Sequence, residues 1–63
     1  MYQISLKAAR VNAGLRQEQA ASAVSVSKNT IISWEQGKTY PRHDQLKTLC
    51  SLYKVPMDFI SLQ

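Results

Sequence analysis

The stretch Gln17–Gly37, QEQAASAVSVSKNTIISWEQG, decides the fold of this 63-residue chain. It predicts two short helices joined by a tight turn, because apolar side chains recur at helical spacing on either side of a brief polar segment. In the second helix Ile31 and Trp34 are three positions apart and face inward, which leaves its outer face polar. The turn comprises residues 25–27. The apolar positions on one side of the first helix are Ala20, Ala21, Ala23 and Val24.

The length and charge of the chain narrow the classes of function. We expect one domain over residues 1–63, because a chain of this size buries only about 60% of the surface that its unfolded form exposes. One small core leaves little room for an enclosed catalytic cavity, so we expect no enzyme and no small-molecule substrate. Eight Lys and Arg against four Asp and Glu give a net charge of +4, which favours nucleic acid or an anionic membrane surface as partner.

The cysteine, histidine and apolar content excludes several other classes. Cys50 is the one cysteine and cannot form an internal disulfide, so we expect the cytoplasm rather than an oxidising compartment. One His and one Cys without other spaced ligands do not make a metal site, and we expect no metal and no cofactor. No run approaches the roughly 18 apolar residues that span a bilayer, so we expect no membrane association.

Serines and glycines mark the ends of the first and third helices. Ser5 is a suitable N-cap for a helix over about residues 6–13, and Gly14 can end that helix in a left-handed conformation. Ser27 is likewise a suitable N-cap for the third helix, and Gly37 can end that helix in a left-handed conformation. The inner stripe of the first helix is predicted to be Leu6, Ala9 and Ala13.

Three more helices are predicted over about residues 17–24, 43–53 and 57–61, the last of them starting after Pro56. The alternating segment 24–27 is the one strand signal, and without a second strand it predicts a helix end and a turn. In the fourth helix five apolar side chains share roughly 160° of arc: Leu46, Leu49, Cys50, Leu52 and Tyr53. The residues expected to cover the bottom of the core are Phe59, Ile60 and Leu62.

The outer face of the third helix carries the chemistry of a base-reading helix. At about 100° per residue, its members fall within roughly 140° of arc. Asn and Gln amides pair with adenine, Lys pairs with guanine, and a branched apolar side chain meets the thymine methyl group. The face consists of Lys28, Asn29, Ile32, Ser33 and Gln36.

The block GLRQEQAASAVSVSKNTIISWEQGKTYP, residues 14–41, resembles the phage repressor and Cro-like helix-turn-helix family, also called XRE-type. The similarity extends from about Leu6 to Leu62. The resemblance implies an all-α, lambda-repressor-like DNA-binding domain, a compact bundle with the helix-turn-helix motif at about residues 17–36. Together with the helical segments above, we expect five short helices.

The resemblance also implies roles for individual residues. Gln17 would contact a phosphate and brace Lys28, while Lys28, Asn29 and Ser33 would face bases, with Ile32 between them and Gln36 at the margin. Arg10 and Glu35 would form a buried, structural ion pair between the first and third helices. The loop residues implied to hold the DNA backbone are Lys38, Thr39, Tyr40 and Arg42.

Four positions depart from the family pattern. Ser25 stands where the turn usually has Gly, and a non-glycine residue with positive φ is strained. Lys54 stands where Gly often ends the fourth helix. Arg16 and Arg42 stand where small polar N-caps are common, and an arginine there is a poor cap that is well placed to contact phosphate.

These observations predict a sequence-specific, DNA-binding transcriptional regulator that represses by occupying an operator with its third helix in the major groove. By similarity, we expect a homodimer that pairs through the C-terminal end, residues 57–62, on half-sites about 34 Å apart. A single module of this size buries only about 600–1,000 Å² on DNA, which favours pairing. The resemblance places the protein in a bacterial cytoplasm, acting on chromosomal or phage DNA.

A second class of function stays open. The chain is alternatively a helical protein-interaction module, such as an antitoxin or a partner of another regulator. In that case Ile32 and the apolar residues of the C-terminal end would contact a protein without any DNA readout.

Overall fold

The computed structural model describes residues 3–61, which contain four α-helices, one 3₁₀ turn and two short strands. The helices are α1 Leu6–Asn12, α2 Gln17–Ala23, α3 Lys28–Gln36 and α4 His43–Tyr53. The 3₁₀ turn is Met57–Phe59, and the strands are β1 Ile4–Ser5 and β2 Ile60–Ser61. Within these residues no helix has both the length and the hydropathy that crossing a membrane requires.

The core is centred on the packing of α2 against α3. Ala20 and Ala21 are buried on α2, and their small side chains allow the two helices to approach closely. Ile31 is 1% exposed and Trp34 is also buried, as the spacing predicts. Burial of a side chain such as Ile31 contributes about 1.5–3 kcal/mol. The residues of α4 that complete the core are Leu49, Cys50 and Tyr53.

The predicted serine caps are confirmed. The Ser5 hydroxyl accepts a hydrogen bond from the Ala8 N–H at 3.0 Å, and Ser27 accepts one from the Thr30 N–H at 3.2 Å. Each bond satisfies one of the N–H groups that the first turn of a helix leaves without an intrahelical partner. α1 and α3 therefore begin where the sequence places them.

All four helices end in the same way, with a residue in the left-handed region. These residues have φ of 74° at Gly14, 61° at Ser25, 77° at Gly37 and 60° at Lys54. After each helix two backbone hydrogen bonds close the end, for example Ser25 N–H to Ser22 O at 3.3 Å and Val26 N–H to Ala21 O at 3.0 Å. The positive φ of Ser25 agrees with the expectation of a strained turn, and segment 24–27 is not a strand.

The inner stripe predicted for α1 is partly wrong. Leu6 and Ala9 are buried, but Ala13 is exposed and Arg10 occupies the interior instead. α1 ends at Asn12, so Ala13 is the C-cap residue rather than a member of the helix. Leu15, after the turn, is partly buried and packs against the core.

The predicted fifth helix is wrong. Only a 3₁₀ turn follows Pro56, and Ile60–Ser61 is extended and pairs in parallel with Ile4–Ser5. A helix of five residues is unstable by itself, whereas pairing of two strands satisfies backbone groups and buries both Ile4 and Ile60. The described residues thus form four helices and a two-stranded sheet rather than five helices. Ile60 covers the core as predicted, Phe59 is 37% exposed, and Leu62 lies outside the described residues.

We predict that Lys54→Gly stabilises the protein by up to about 1 kcal/mol, because a residue with a Cβ in the left-handed region is strained by about 1–2 kcal/mol and glycine is not. Urea unfolding of both proteins measures the difference. In contrast, Gly14→Ala should destabilise by about 1 kcal/mol, although nothing lies within 4 Å of the added Cβ. Equal stability of Lys54→Gly and the parent would contradict the assignment of strain to Lys54.

Candidate nucleic-acid interface

The outer face of α3 presents polar side chains to solvent. Lys28, Asn29 and Gln36 are exposed, and Ile32 and Ser33 are half-buried beside them. The opposite face of α3 is fixed in the core by Ile31 and Trp34, so the helix cannot rotate without exposing both. An ammonium group, two amides, a hydroxyl group and a branched alkyl group are thereby held along one rigid helix.

The loop after α3 is exposed but held at both ends. The Lys38 N–H donates to Ser33 O at 3.0 Å, and Pro41 is buried. Between these two anchors Thr39 and Tyr40 are exposed, Tyr40 by 59% of its surface. The structure therefore places the four predicted loop residues, namely Lys38, Thr39, Tyr40 and Arg42, in solvent and in direct continuation of α3.

Arg10 of α1 and Glu35 of α3 form an ion pair between the two helices. Arg10 Nε lies 2.7 Å from Glu35 Oε2 and Arg10 Nη2 lies 3.3 Å from Oε1, while Nη1 donates to Leu15 O at 2.8 Å. Their side chains are only 10% and 5% exposed. The hydrogen bond to Glu35 raises the pKa of Arg10 despite the opposing effect of burial. The two-point contact fixes the orientation of α1 against α3.

Gln17 is the third member of this cluster. Its Nε2 donates to Glu35 Oε1 at 3.1 Å, so the carboxylate of α3 accepts hydrogen bonds from both α1 and α2. Among residues 3–61, the side-chain hydrogen bond of Gln17 goes to Glu35, and the bracing of Lys28 by Gln17 on DNA stays a prediction. A buried carboxylate needs several donors, and the amide of Gln17 supplies one.

Lys28 has a different neighbour, which the sequence analysis missed. Its Nζ lies 3.8 Å from Glu18 Oε2, and the two side chains are 51% and 59% exposed. The pKa of Glu18 is lowered, first by a hydrogen bond from its own backbone N–H at the start of α2 and then by the charge of Lys28. The signal in the sequence was an acidic residue directly after Gln17.

Arg16 and Arg42 begin α2 and α4 without capping them through their side chains. Instead the residue three positions later reaches back: the Arg16 N–H donates to Gln19 Oε1 at 2.8 Å, and the Arg42 N–H donates to Gln45 Oε1 at 2.9 Å. This is half of a capping box, and it leaves both guanidinium groups outside the caps. The repeated pattern RQEQ and RHDQ in the sequence was the signal for it. Arg42 Nε also lies 3.7 Å from Asp44 Oδ1, with both side chains exposed.

The comparison with known proteins defines the class. A helix-turn-helix family model matches residues 6–60, and the chain belongs to this family, which confirms the resemblance. It is 38% identical over 53 residues to the HTH-type transcriptional activator BcrR of Enterococcus faecalis, with 84% of this chain and 26% of that protein aligned. It is 32% identical over 57 residues to the cryptic phage CTXphi transcriptional repressor RstR of Vibrio cholerae, with 90% of this chain and 51% of that protein aligned. The chain thus spans about a quarter and about half of these relatives, and no solved structure matches significantly.

We predict that Arg10→Met and Glu35→Gln each destabilise the protein by about 3 kcal/mol, because each leaves a buried charge without its partner. A domain of this size is stable by only about 3–9 kcal/mol, so both variants should be close to unfolding at 37 °C. Urea unfolding at 25 °C measures the loss. Asp44→Asn, which breaks an exposed pair, is the control and should change stability little. A similar small change in Arg10→Met would contradict a structural role for the cluster.

We predict that stability falls between pH 10 and about pH 12 because of Tyr53. Burial first, and then the charge of Glu35, raises the pKa of Tyr53 from 10.0 to about 12. The unfolded chain therefore loses this proton at a lower pH than the native protein, which lowers the free energy of unfolding by about 1.4 kcal/mol per pH unit in that range. Urea unfolding across the range measures this slope. In Tyr53→Phe the slope should be much smaller, and an unchanged slope would contradict the assignment.

Proposed function

We propose that the chain is a sequence-specific DNA-binding module of a transcriptional regulator, with α3 as the helix that enters the major groove. The observation that carries this proposal is the division of α3 into a core face, Ile31 and Trp34, and an exposed face of base-reading groups. Family membership and the similarity to the transcriptional activator BcrR and the transcriptional repressor RstR support it. The exposed cations at Lys28, Lys38 and Arg42 supply the charge that a DNA backbone attracts.

Within this proposal the residues divide into two groups. Lys28, Asn29 and Ser33 face base edges, with Ile32 against a thymine methyl group and Gln36 at the margin. Phosphates are contacted from the N-terminus of α2, where the backbone of Gln17 lies, and from the exposed loop after α3. The amide nitrogen of Gln17 carries two hydrogens, so its side chain can donate one hydrogen bond to Glu35 and another to a phosphate. The loop residues in this group are Lys38, Thr39, Tyr40 and Arg42.

We further propose a homodimer on DNA, in a bacterial cytoplasm, that represses by occupying its operator. Repression of this kind needs only the DNA contacts, whereas activation needs an additional surface for the transcription machinery. Two copies would pair through the C-terminal end, where Phe59 is exposed and β2 begins, with half-sites about 34 Å apart.

The selection of bound sequences from a random duplex pool, at low and at high salt, tests the proposal. A consensus with two half-sites about one helical turn apart would support a specific dimer. Recovery of no consensus, with affinity that falls steeply with salt, would show electrostatic binding alone and overturn sequence-specific readout. Absence of any DNA retention, together with capture of a protein partner that Ile32→Ala abolishes, would favour the interaction-module alternative.

We predict that Lys28→Ala and Asn29→Ala each weaken binding to the selected duplex about ten-fold or more and relax base preference at one position per half-site. Lys38→Ala should weaken binding to all sequences alike and reduce the dependence of affinity on salt by about one phosphate contact. Fluorescence anisotropy at several salt concentrations measures both effects. Lys7→Ala, which removes the same charge from the exposed face of α1, is the control and should retain base preference. Unchanged preference in both α3 variants would contradict the assignment of α3.

A further inference from the structure

Glu18 is the one acidic side chain that the structure places beside the proposed base-reading face. The chain has four acidic residues. Glu35 is buried against Arg10, Asp44 lies beside Arg42 at the start of α4, and Asp58 lies in the 3₁₀ turn. Glu18 instead approaches Lys28, the first residue of α3, at 3.8 Å between Oε2 and Nζ.

The carboxylate of Glu18 is charged and close enough to act on whatever Lys28 contacts. The pKa of Glu18 is lowered from an ordinary value that already lies well below neutral pH, so the carboxylate is ionised at pH 7. Both side chains are more than half exposed, so the pair is weak and can separate without a large penalty. A group that contacts the Lys28 ammonium would lie well within the roughly 10 Å over which charges interact at 0.1 M salt.

The two kinds of DNA contact available to Lys28 respond differently to this carboxylate. A phosphate is anionic, so it competes with Glu18 for the ammonium and is repelled by it. The O6 and N7 atoms of guanine are acceptors on a neutral base, so they gain the hydrogen bond without an added like charge nearby. Since the ammonium has three donor hydrogens, it can bond to a base while remaining near the carboxylate.

We propose that Glu18 is a specificity-determining residue, which weakens contact of Lys28 with the phosphates of random DNA more than its contact with base acceptors of the operator. The proposal rests on the proposed function, because it requires that α3 enters the major groove. Glu18 contacts no base in this account and acts through Lys28. Glu18 is therefore expected to change the ratio of the affinities for operator and random DNA, rather than to raise the affinity for the operator.

The test compares Glu18→Gln with Asn12→Lys on two probes, the duplex selected from the pool and a duplex of random sequence. Each variant raises the net charge from +4 to +5, and Asn12 is an exposed residue at the end of α1, outside the residues proposed to contact DNA or to pair two copies. We expect Glu18→Gln to strengthen binding to the random duplex about three- to ten-fold at about 50 mM salt, and to steepen its salt dependence by about one phosphate contact. Binding to the selected duplex should strengthen less than about two-fold, and Asn12→Lys should change both probes alike.

A double-mutant cycle establishes whether the effect passes through Lys28. In a Lys28→Gln background, Glu18→Gln should strengthen random-duplex binding no more than Asn12→Lys does. Glu18→Asp, which retains the charge, should preserve most of the parent's ratio of affinities. Thermal unfolding of each variant verifies that α2 still forms, because Glu18 lies in its first turn.

Two results would overturn the proposal while leaving the proposed function intact. The first is an equal gain from Glu18→Gln and Asn12→Lys on the random duplex, which would reflect net charge alone. The second is a gain that persists in the Lys28→Gln background. Failure of the parent protein to select any consensus would be a distinct outcome, because it would overturn the proposed function and this proposal with it.

Discussion

The arrangement of the helices depends on the hydrogen bonds that the buried carboxylate of Glu35 accepts. This carboxylate accepts hydrogen bonds from Arg10 of α1 and from Gln17 of α2, and it is itself carried by α3. Three helices therefore meet at one charged group with 5% side-chain exposure. Burial of Ile31 and Trp34 fixes which face of α3 is turned inward, and the two-point bond between a guanidinium group and a carboxylate adds a directional constraint between α1 and α3. The angle at which α3 presents its outer face follows from this cluster.

The helix ends provide the second constraint. Each of the four helices closes with a left-handed residue, and two of these residues, Ser25 and Lys54, carry side chains. Ser25 lies in the turn between α2 and α3, so the strained residue is in the segment that sets the angle between the two helices of the helix-turn-helix motif. The strain persists because the hydrogen bonds around the turn and the packing of Ala21 against α3 over-determine the local conformation.

Much of the fold follows from local sequence signals. Ser5, Ser27 and Gly37 fix helix ends through hydrogen bonds within a few residues, and the spacing of Ile31 and Trp34 fixes the inner face of α3. The structure of the C-terminal segment does not follow from local signals, because the extended Ile60 pairs with Ile4, which is far away in the sequence. Short segments of this kind adopt whichever structure their distant neighbours stabilise.

The candidate site also combines features that local sequence signals predict with contacts that they do not predict. The exposed face of α3 follows from helical spacing, and the pairing of Arg10 with Glu35 was implied by the family resemblance. Contacts between side chains of different helices were harder to predict. Gln17 was expected beside Lys28, whereas in the structure its side chain donates to Glu35. The charged neighbour of Lys28 is Glu18. The capping roles of Gln19 and Gln45 were not predicted, because a helix start is ordinarily marked by the side chain of the N-cap residue, whereas here the capping group lies three positions later.

The most direct test of the account is a titration of the ¹⁵N-labelled protein with its selected duplex, followed by amide chemical shifts in NMR spectra. If α3 enters the groove and its loop holds the backbone, the largest changes should lie at residues 28–33 and 38–42 and at the start of α2. Amides of α1 should change least. Changes concentrated on α4 or on residues 57–61, with α3 unaffected, would contradict the account.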